Sequence, residues 1–300
     1  MAAKNSKVSI LVSSCDAYSD AWLPFFTLLK KYWPDRPYPI YLNTERKVIF
    51  EVASIKIHTL NDFRKNITWS ARLIHALKQI KSKYVIFFLE DFFIMSPVDQ
   101  SELDHCVALM DSHPKVASIN FGYGNYLKHT EYLDERYAIR SRNTGYYLNA
   151  QASLWRRKAL LKLLSPYENA WQFELYGSAR AKLYPYDFVI RKDDILLFDY
   201  RTNVTYGYGI AKGGWLPGNV ELFEREGIEV NFEHLGFYTP ELEKQNKLIG
   251  AAPKRTLREK WMRFLYAGED RPRWELRDQI KLLFSHPKQY AKQKLHALRK

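Results

Sequence analysis

Two adjacent carboxylates, Glu90 and Asp91, close an uninterrupted apolar run, Tyr84-Val85-Ile86-Phe87-Phe88-Leu89. Side by side they are hard oxygen ligands, suited to a divalent cation that carries phosphates. Arg72, in Trp69-Ser70-Ala71-Arg72-Leu73, offers a planar two-pronged donor for a phosphate or for Asp91 itself. Glu174 stands among aromatics in Trp171-Gln172-Phe173-Glu174, where desolvation would raise its pKa toward that of a working base. The segment from Ser13 to Asp20 contributes Cys15, Asp16 and Tyr18, with backbone amides and a carboxylate able to grip a nucleobase and ribose. Lys212 adds a cation for phosphate, and His234 in Asn231-Phe232-Glu233-His234 a possible third metal ligand. Each has a plainer role open to it: acids on a surface turn, an Asp16 helix cap, Arg72 on a solvated helix face, a solvated Glu174, a structural His234. Their order along the chain is what sets them apart.

That order follows from the elements expected to carry them. Val8–Ser13 is a β-branched run that reads as a first strand. A helix over Ala21–Tyr32 follows, then strands at Pro39–Asn43 and Ile55–Leu60. Trp69–Lys81 has helical periodicity and feeds the strand Lys83–Leu89, whose continuous Val, Ile and Phe predict burial on both faces. A helix at Ser101–Ser112 and a strand at Val116–Phe121 continue the alternation, which implies a mostly parallel sheet covered by helices on both faces. In such sheets ligands bind beyond the carboxyl ends of the strands, where Asp16 and the Glu90-Asp91 pair fall. Gly122–Tyr147 reads as irregular, Gln151–Leu164 and Trp171–Leu183 as helices, and Asp187–Asp199 as short strands around a turn. Glycine-rich 202–220 reads as a mobile loop and a candidate lid.

Aromatics make up 15% of the chain, with 21 Tyr and 8 Trp, an excess that suits clefts stacking on sugars or bases. Trp155, Trp171 and Trp215 are the candidate platforms. Cys15 and Cys106 have no metal-type spacing and no disulfide framework, which fits a reduced, cytoplasmic compartment. Neither a secretory signal nor a stretch able to cross a bilayer is legible, so a soluble or peripheral protein is expected. Net charge is +13, but residues 254–300 hold 14 Lys/Arg against 5 Asp/Glu, a balance of +9. Interleaved with Trp261, Phe264, Trp274 and Phe284, these residues predict a basic amphipathic helical extension, helical near 255–267, 273–284 and 287–299, behind a catalytic domain spanning 1–253. Such a composition suits an anionic membrane surface or a helical cap packed on the main domain.

The blocks Ser14-Cys15-Asp16-Ala17-Tyr18-Ser19-Asp20, Trp69-Ser70-Ala71-Arg72-Leu73, Leu89-Glu90-Asp91-Phe92-Phe93, Gln151-Ala152-Ser153-Leu154-Trp155 and Trp171-Gln172-Phe173-Glu174 resemble bacterial GT-A-type glycosyltransferases of surface polysaccharide assembly (capsule, O-antigen, lipopolysaccharide). The resemblance covers about residues 8–240. It implies a Rossmann-like nucleotide-sugar fold and transfer of a sugar from a UDP-type donor to a glycan or lipid-linked acceptor. It further implies that Glu90-Asp91 stands where the family has its metal-diphosphate acids. The usual last acid of that motif is replaced here by Phe92, which puts a Mn or Mg cofactor in doubt. Either Asp91 takes the role with Glu90 and His234, or cations such as Arg72 and Lys212 replace the metal. The chemistry needs those residue types: a cation for the departing diphosphate and, for inversion, a carboxylate base for the acceptor hydroxyl, here Glu174.

Three rivals remain. Nucleic-acid binding would use the basic tail, but no RNA-binding or helix-turn-helix signature accompanies it and no nucleic-acid partner is expected. A glycoside hydrolase also uses two carboxylates but needs no diphosphate-cradling βαβ unit. A sugar nucleotidyltransferase shares fold and acids, yet no glycine-rich triphosphate signature follows strand one.

Overall fold

The computed structural model describes residues 6–122, 128–192, 195–201, 208–239, 241 and 284. The expected tail of 254–300 and the turn at 193–194 lie outside the described residues, Phe284 apart. The described chain forms β1 (Val8–Ser13), a 3-10 helix (Asp16–Ala21), α1 (Trp22–Tyr32), β2 (Ile40–Thr44), β3 (Glu51–Val52), β4 (Ile55–Lys56) and β5 (His58–Asn61). Then come α2 (Trp69–Gln79), β6 (Tyr84–Leu89), α3 (Gln100–Ser112), β7 (Val116–Asn120), β8 (His129–Tyr132), β9 (Tyr137–Arg140) and β10 (Ser153–Arg156). The remainder is α4 (Arg157–Leu163), α5 (Ala170–Ala181), β11 (Asp187–Arg191), β12 (Ile210–Ala211), β13 (Gly214–Trp215) and α6 (Gly218–Glu226).

Nine strands make one sheet in the order β5-β2-β1-β6-β10-β7-β11-β9-β8. β1 lies parallel between β2 and β6, β5 extends β2 in parallel, and β7 pairs β11 in parallel. β10 and β9 run against the direction that the other strands share. The result is the α/β, mostly parallel sheet that the alternation implies.

Side-chain alternation divides the interior into two cores, one for each face. Ile10, Val12, Ile86, Phe88 and Ile119 point to the side covered by α1, α3 and α6, against Phe25, Leu29, Leu103, Met110 and Phe223. Leu11, Val85, Phe87 and Ala117 point to the other side, against Leu73 and Leu77 of α2, Leu160 of α4 and Phe173 of α5. Strands lined on both faces by such layers are mostly apolar, and charged groups fall at their ends, where open α/β sheets take their ligands.

Three expectations change. Gln151–Leu164 is not one helix: Ser153–Arg156 inserts as β10 between β6 and β7, and the helix begins only at Arg157. Gly122–Tyr147 is not wholly irregular, because β8 and β9 form an antiparallel hairpin at the sheet's edge. The glycine-rich stretch is not a detached loop over its described part. Ile210, Ala211, Trp215 and Leu216 are buried, β12 and β13 pair, and α6 opens at Gly218. Residues 202–207 lie outside the described residues.

Candidate active site

The carboxyl ends of β1, β2 and β6 meet the amino end of α2 at one edge of the sheet. Thr68 caps α2, its hydroxyl oxygen accepting from the Ala71 amide at 3.1 Å, which fixes the first turn that carries Arg72. Arg72 does not reach Asp91. Its guanidinium pairs with Glu45 at 2.6 Å, while its Nε is buried and has no partner among the described residues. Glu45 follows β2 directly and its carboxylate also accepts the Asp16 amide at 2.5 Å. Glu45 therefore joins the constellation, and it went unnoticed in the sequence although it obeys the same strand-end rule as Asp91.

Asp16 serves as an anchor. Its carboxylate accepts the Thr44 hydroxyl at 2.5 Å and the amides of Glu45, Arg46 and Lys47 at 3.1 to 3.3 Å. Burial opposes ionisation, yet these donors hold the carboxyl below its usual range. The aspartate thereby clamps the chain after β2 against the chain after β1.

Glu90 and Asp91 are 6% and 7% exposed. Among the described residues no hydrogen bond or ion pair from another residue is recorded to the Glu90 carboxylate, and burial followed by the neighbouring Asp91 charge pushes its pKa well up. Burial raises Asp91 to about 6 even though the amides of Ile210 and Gly209 oppose it. Ile210 donates to Asp91 Oδ2 at 3.0 Å and Gly209 donates to the Asp91 main-chain oxygen at 2.9 Å. Cys15, half-buried beside these acids, has its thiol pushed up to about 12 by burial and by the Glu90 and Glu45 carboxylates. Burial, then Cys15, Glu90 and Asp91, likewise raise Tyr18. Cys15, Tyr18, Glu45, Arg72, Glu90 and Asp91 are thus linked electrostatically through Glu90, which feels Asp91, Glu45 and Arg72 and acts on Cys15 and Tyr18.

Glu174 sits half-buried on α5, where its carboxylate accepts the Ala150 amide at 2.8 Å. Burial raises its pKa, as a base requires, with the Ala150 bond opposing. Ala150 leads into β10, which runs against β6, so this carboxylate belongs to the same sheet edge as the acid pair. Lys212 occupies the tip of the β12–β13 hairpin at φ 48, followed by Gly213 at φ 92, a pair of positive angles that a two-residue hairpin turn favours. Its ammonium lies 4.8 Å from the ring centre of Trp171 on α5. One hairpin therefore touches Asp91 at its base and Trp171 at its tip.

Other assignments shift. Trp155 and Trp215 cannot be sugar platforms: they are 2% and 0% exposed, one packed on Phe188 and the other on Phe93, Phe223 and Phe232. Trp171, by contrast, is 57% exposed. His234 bonds Asp20 through Nδ1 at 2.6 Å rather than any recorded partner in the acid pair. Among the described residues no group of three His, Cys, Asp or Glu is disposed to hold a metal ion. Two adjacent carboxylates remain a fitting half-shell for a hard cation, since Mg²⁺ is commonly held by one or two carboxylates with phosphate and water completing its sphere. The raised pKa values of Glu90 and Asp91 express a burial cost that such a cation would relieve.

No protein-family model matches the chain, and no curated protein does. Solved structures do. S. aureus TarS 1-349 in complex with UDP-GlcNAc is 14% identical, with 87% of this chain and 80% of that chain covered and a TM-score of 0.42. S. aureus TarS 1-349 without that ligand gives 14%, 87%, 79% and 0.44. A cytidylyltransferase from Leptospira borgpetersenii serovar Hardjo-bovis is 13% identical over 74% of this chain and 96% of that one, with a TM-score of 0.43.

Proposed function

We propose that this chain is a glycosyltransferase that moves a sugar from a nucleoside-diphosphate donor, UDP-type, to a glycan or lipid-linked acceptor. The observation that carries the reading is the buried Glu90–Asp91 pair at the carboxyl end of β6. It is hardly exposed, it forms no ion pair among the described residues, and it lies at the edge where open α/β sheets take their ligands.

The remaining roles follow from position. Cys15, Tyr18 and the Glu45–Arg72 pair line the crevice after β1 and β2, where the nucleoside would lie. Asp16 keeps that crevice in shape by clamping residues 44–47. Glu90 and Asp91 would hold a Mn²⁺ or Mg²⁺ ion, which when bound supplies positive charge for the departing diphosphate. Lys212, held over Trp171 at the hairpin tip, would add a second positive charge for the diphosphate. Glu174 accepts the proton of the acceptor hydroxyl as it attacks, which is the duty of the base in an inverting transfer. Trp171 presents its exposed face beside Glu174, where an acceptor sugar can stack. Residues 254–300 bring the enzyme to an anionic membrane face, supported by their +9 balance and interleaved aromatics.

The test is a thermal-shift panel of UDP, GDP, CMP and dTDP sugars with and without Mn²⁺. A ligand that binds only the native state raises Tm by mass action. The reading expects a UDP-sugar to raise Tm most, and more so with Mn²⁺. Absence of any shift, or pyrophosphate release from a nucleoside triphosphate, would replace it.

A further inference from the structure

Asn219 is fully buried at the start of α6, yet it does not serve that helix as a cap. Its Oδ1 is buried and accepts no bond among the described residues. Its Nδ2 instead donates backwards, to the Gly209 oxygen at 2.5 Å and to the Leu216 oxygen at 2.8 Å. This orientation is fixed, because turning the amide over would set its oxygen against two carbonyl oxygens. The Gly209 oxygen also accepts the Leu216 amide at 2.9 Å. That carbonyl belongs to the same peptide unit as the Ile210 N–H, which donates to Asp91 Oδ2 at 3.0 Å. Two donors on the oxygen of a peptide plane fix its tilt and polarise its N–H, so the bond passed on to the carboxylate is stronger and better aimed.

The surroundings leave this peptide little freedom. A Cβ at Gly209 would stand 2.2 Å from Phe93 Cε2, and Phe93 is itself buried against Trp215 and Phe223. Only glycine lets the backbone pass so close to the Phe93 ring at this point. Gly209 and Ile210 then hold Asp91 with consecutive amides, one on its main chain and one on its carboxylate.

We infer that Asn219 is a positioning residue for Asp91, acting through the Gly209–Ile210 peptide to aim the carboxylate that would hold the cation of the donor's diphosphate. The inference rests on the proposed role of Asp91, and one of its two readouts does not depend on that role. Asn219→Leu keeps the branched outline at a larger volume and removes both donated bonds, and Asn219→Ala is the smaller alternative should the leucine pack badly. Each is made in the full chain, alone and with Asp91→Asn. Hydrogen exchange at the Ile210 amide is expected to quicken by about tenfold or more while β1 and β6 amides stay protected. Affinity for UDP with Mn²⁺ is expected to fall about tenfold in the wild-type background and no further once Asp91 is Asn. Unchanged exchange at Ile210 overturns the inference, as does an equal loss of affinity on both backgrounds, which marks a merely structural amide. If UDP fails to bind the wild-type chain, the proposed function fails and the exchange measurement still decides the role of Asn219.

Discussion

Glu168 and Glu90 are equally withdrawn from water, 5% and 6% exposed, but the protein treats them in opposite ways. Glu168 is met by both guanidinium nitrogens of Arg180, at 2.5 and 2.6 Å, and that arginine also donates to the Leu163 oxygen. Glu102 is similarly satisfied by Arg136, Arg191 and the Tyr137 hydroxyl. Glu90 has Asp91 for a neighbour and no cation in contact, and the nearby Arg72 spends its ion pair on Glu45. Burying a charge is costly unless it is paired. A fold that pairs its other buried glutamates and, among the described residues, gives this acid pair only the Ile210 amide on Asp91 is storing that cost where a cationic partner or a proton can relieve it. The ion-paired acids hold elements together, and the Glu90–Asp91 pair is the place where a cation would be stabilising.

The largest effect tests the paired side. Arg180→Met removes one member of a buried pair and leaves Glu168 bare, so unfolding stability is expected to drop by about 3–5 kcal/mol in urea titration at neutral pH. A loss below about 1 kcal/mol would mean that Glu168 is no better satisfied than Glu90, and the contrast would dissolve.

Glu174 lies between the two cases, with burial raising its pKa and one amide restraining it. Glu174→Gln is expected to lower kcat by about 10²–10⁴-fold with donor-nucleotide affinity nearly unchanged. Should donor affinity collapse instead, Glu174 belongs with the nucleotide site, and Asp187 or Asp16 becomes the better base.

The side without an ion pair has a pH signature. The folded value of Asp91 is about 6 against an ordinary 3.8, so the folded state holds its proton more tightly than the unfolded chain does. Stability from this group is fully present below about pH 4 and is lost as pH rises through 6, a loss of up to about 3 kcal/mol. Metal-free melting curves from pH 4 to 7 should show Asp91→Asn escaping part of the decline seen in the wild type. Parallel curves would show that burial does not disfavour the charge.

The smallest effect concerns the hairpin tip. Lys212→Ala gives up a cation over the Trp171 ring, worth about 0.5–1 kcal/mol at an exposed site. UDP affinity in a calorimetric titration should weaken only about two- to fivefold, as expected for losing one exposed cation near the diphosphate. No change would detach Lys212 from the site.

Sequence made the two regions legible to different degrees. β1, β2, β6 and β7 are visible because strands buried on both faces are predominantly apolar and uncharged, and that leaves the charged chemistry to their ends. β10 was hidden because Ser153-Leu154-Trp155-Arg156 runs into α4 with no turn residue between them, and Arg156 caps α4 without a side-chain bond. The β8–β9 hairpin was hidden because β8 is largely solvent-exposed and shows no apolar alternation. Acids and basic residues of the site could be named individually, but their pairings could not. Arg72 chooses Glu45, which follows a different strand, and Asp91 receives Ile210, which is 119 residues away. Trp215 and Trp171 are indistinguishable as letters, and only packing decides that one is core and the other surface.

The account stands most directly on Asp91→Asn, which removes the charge without changing the volume. Turnover of a UDP-sugar by the variant, with its melting temperature checked at the same pH, should fall about 10²–10³-fold while the fold is retained. Wild-type turnover in a folded Asp91→Asn protein would contradict the assignment of the Glu90–Asp91 pair to the leaving diphosphate.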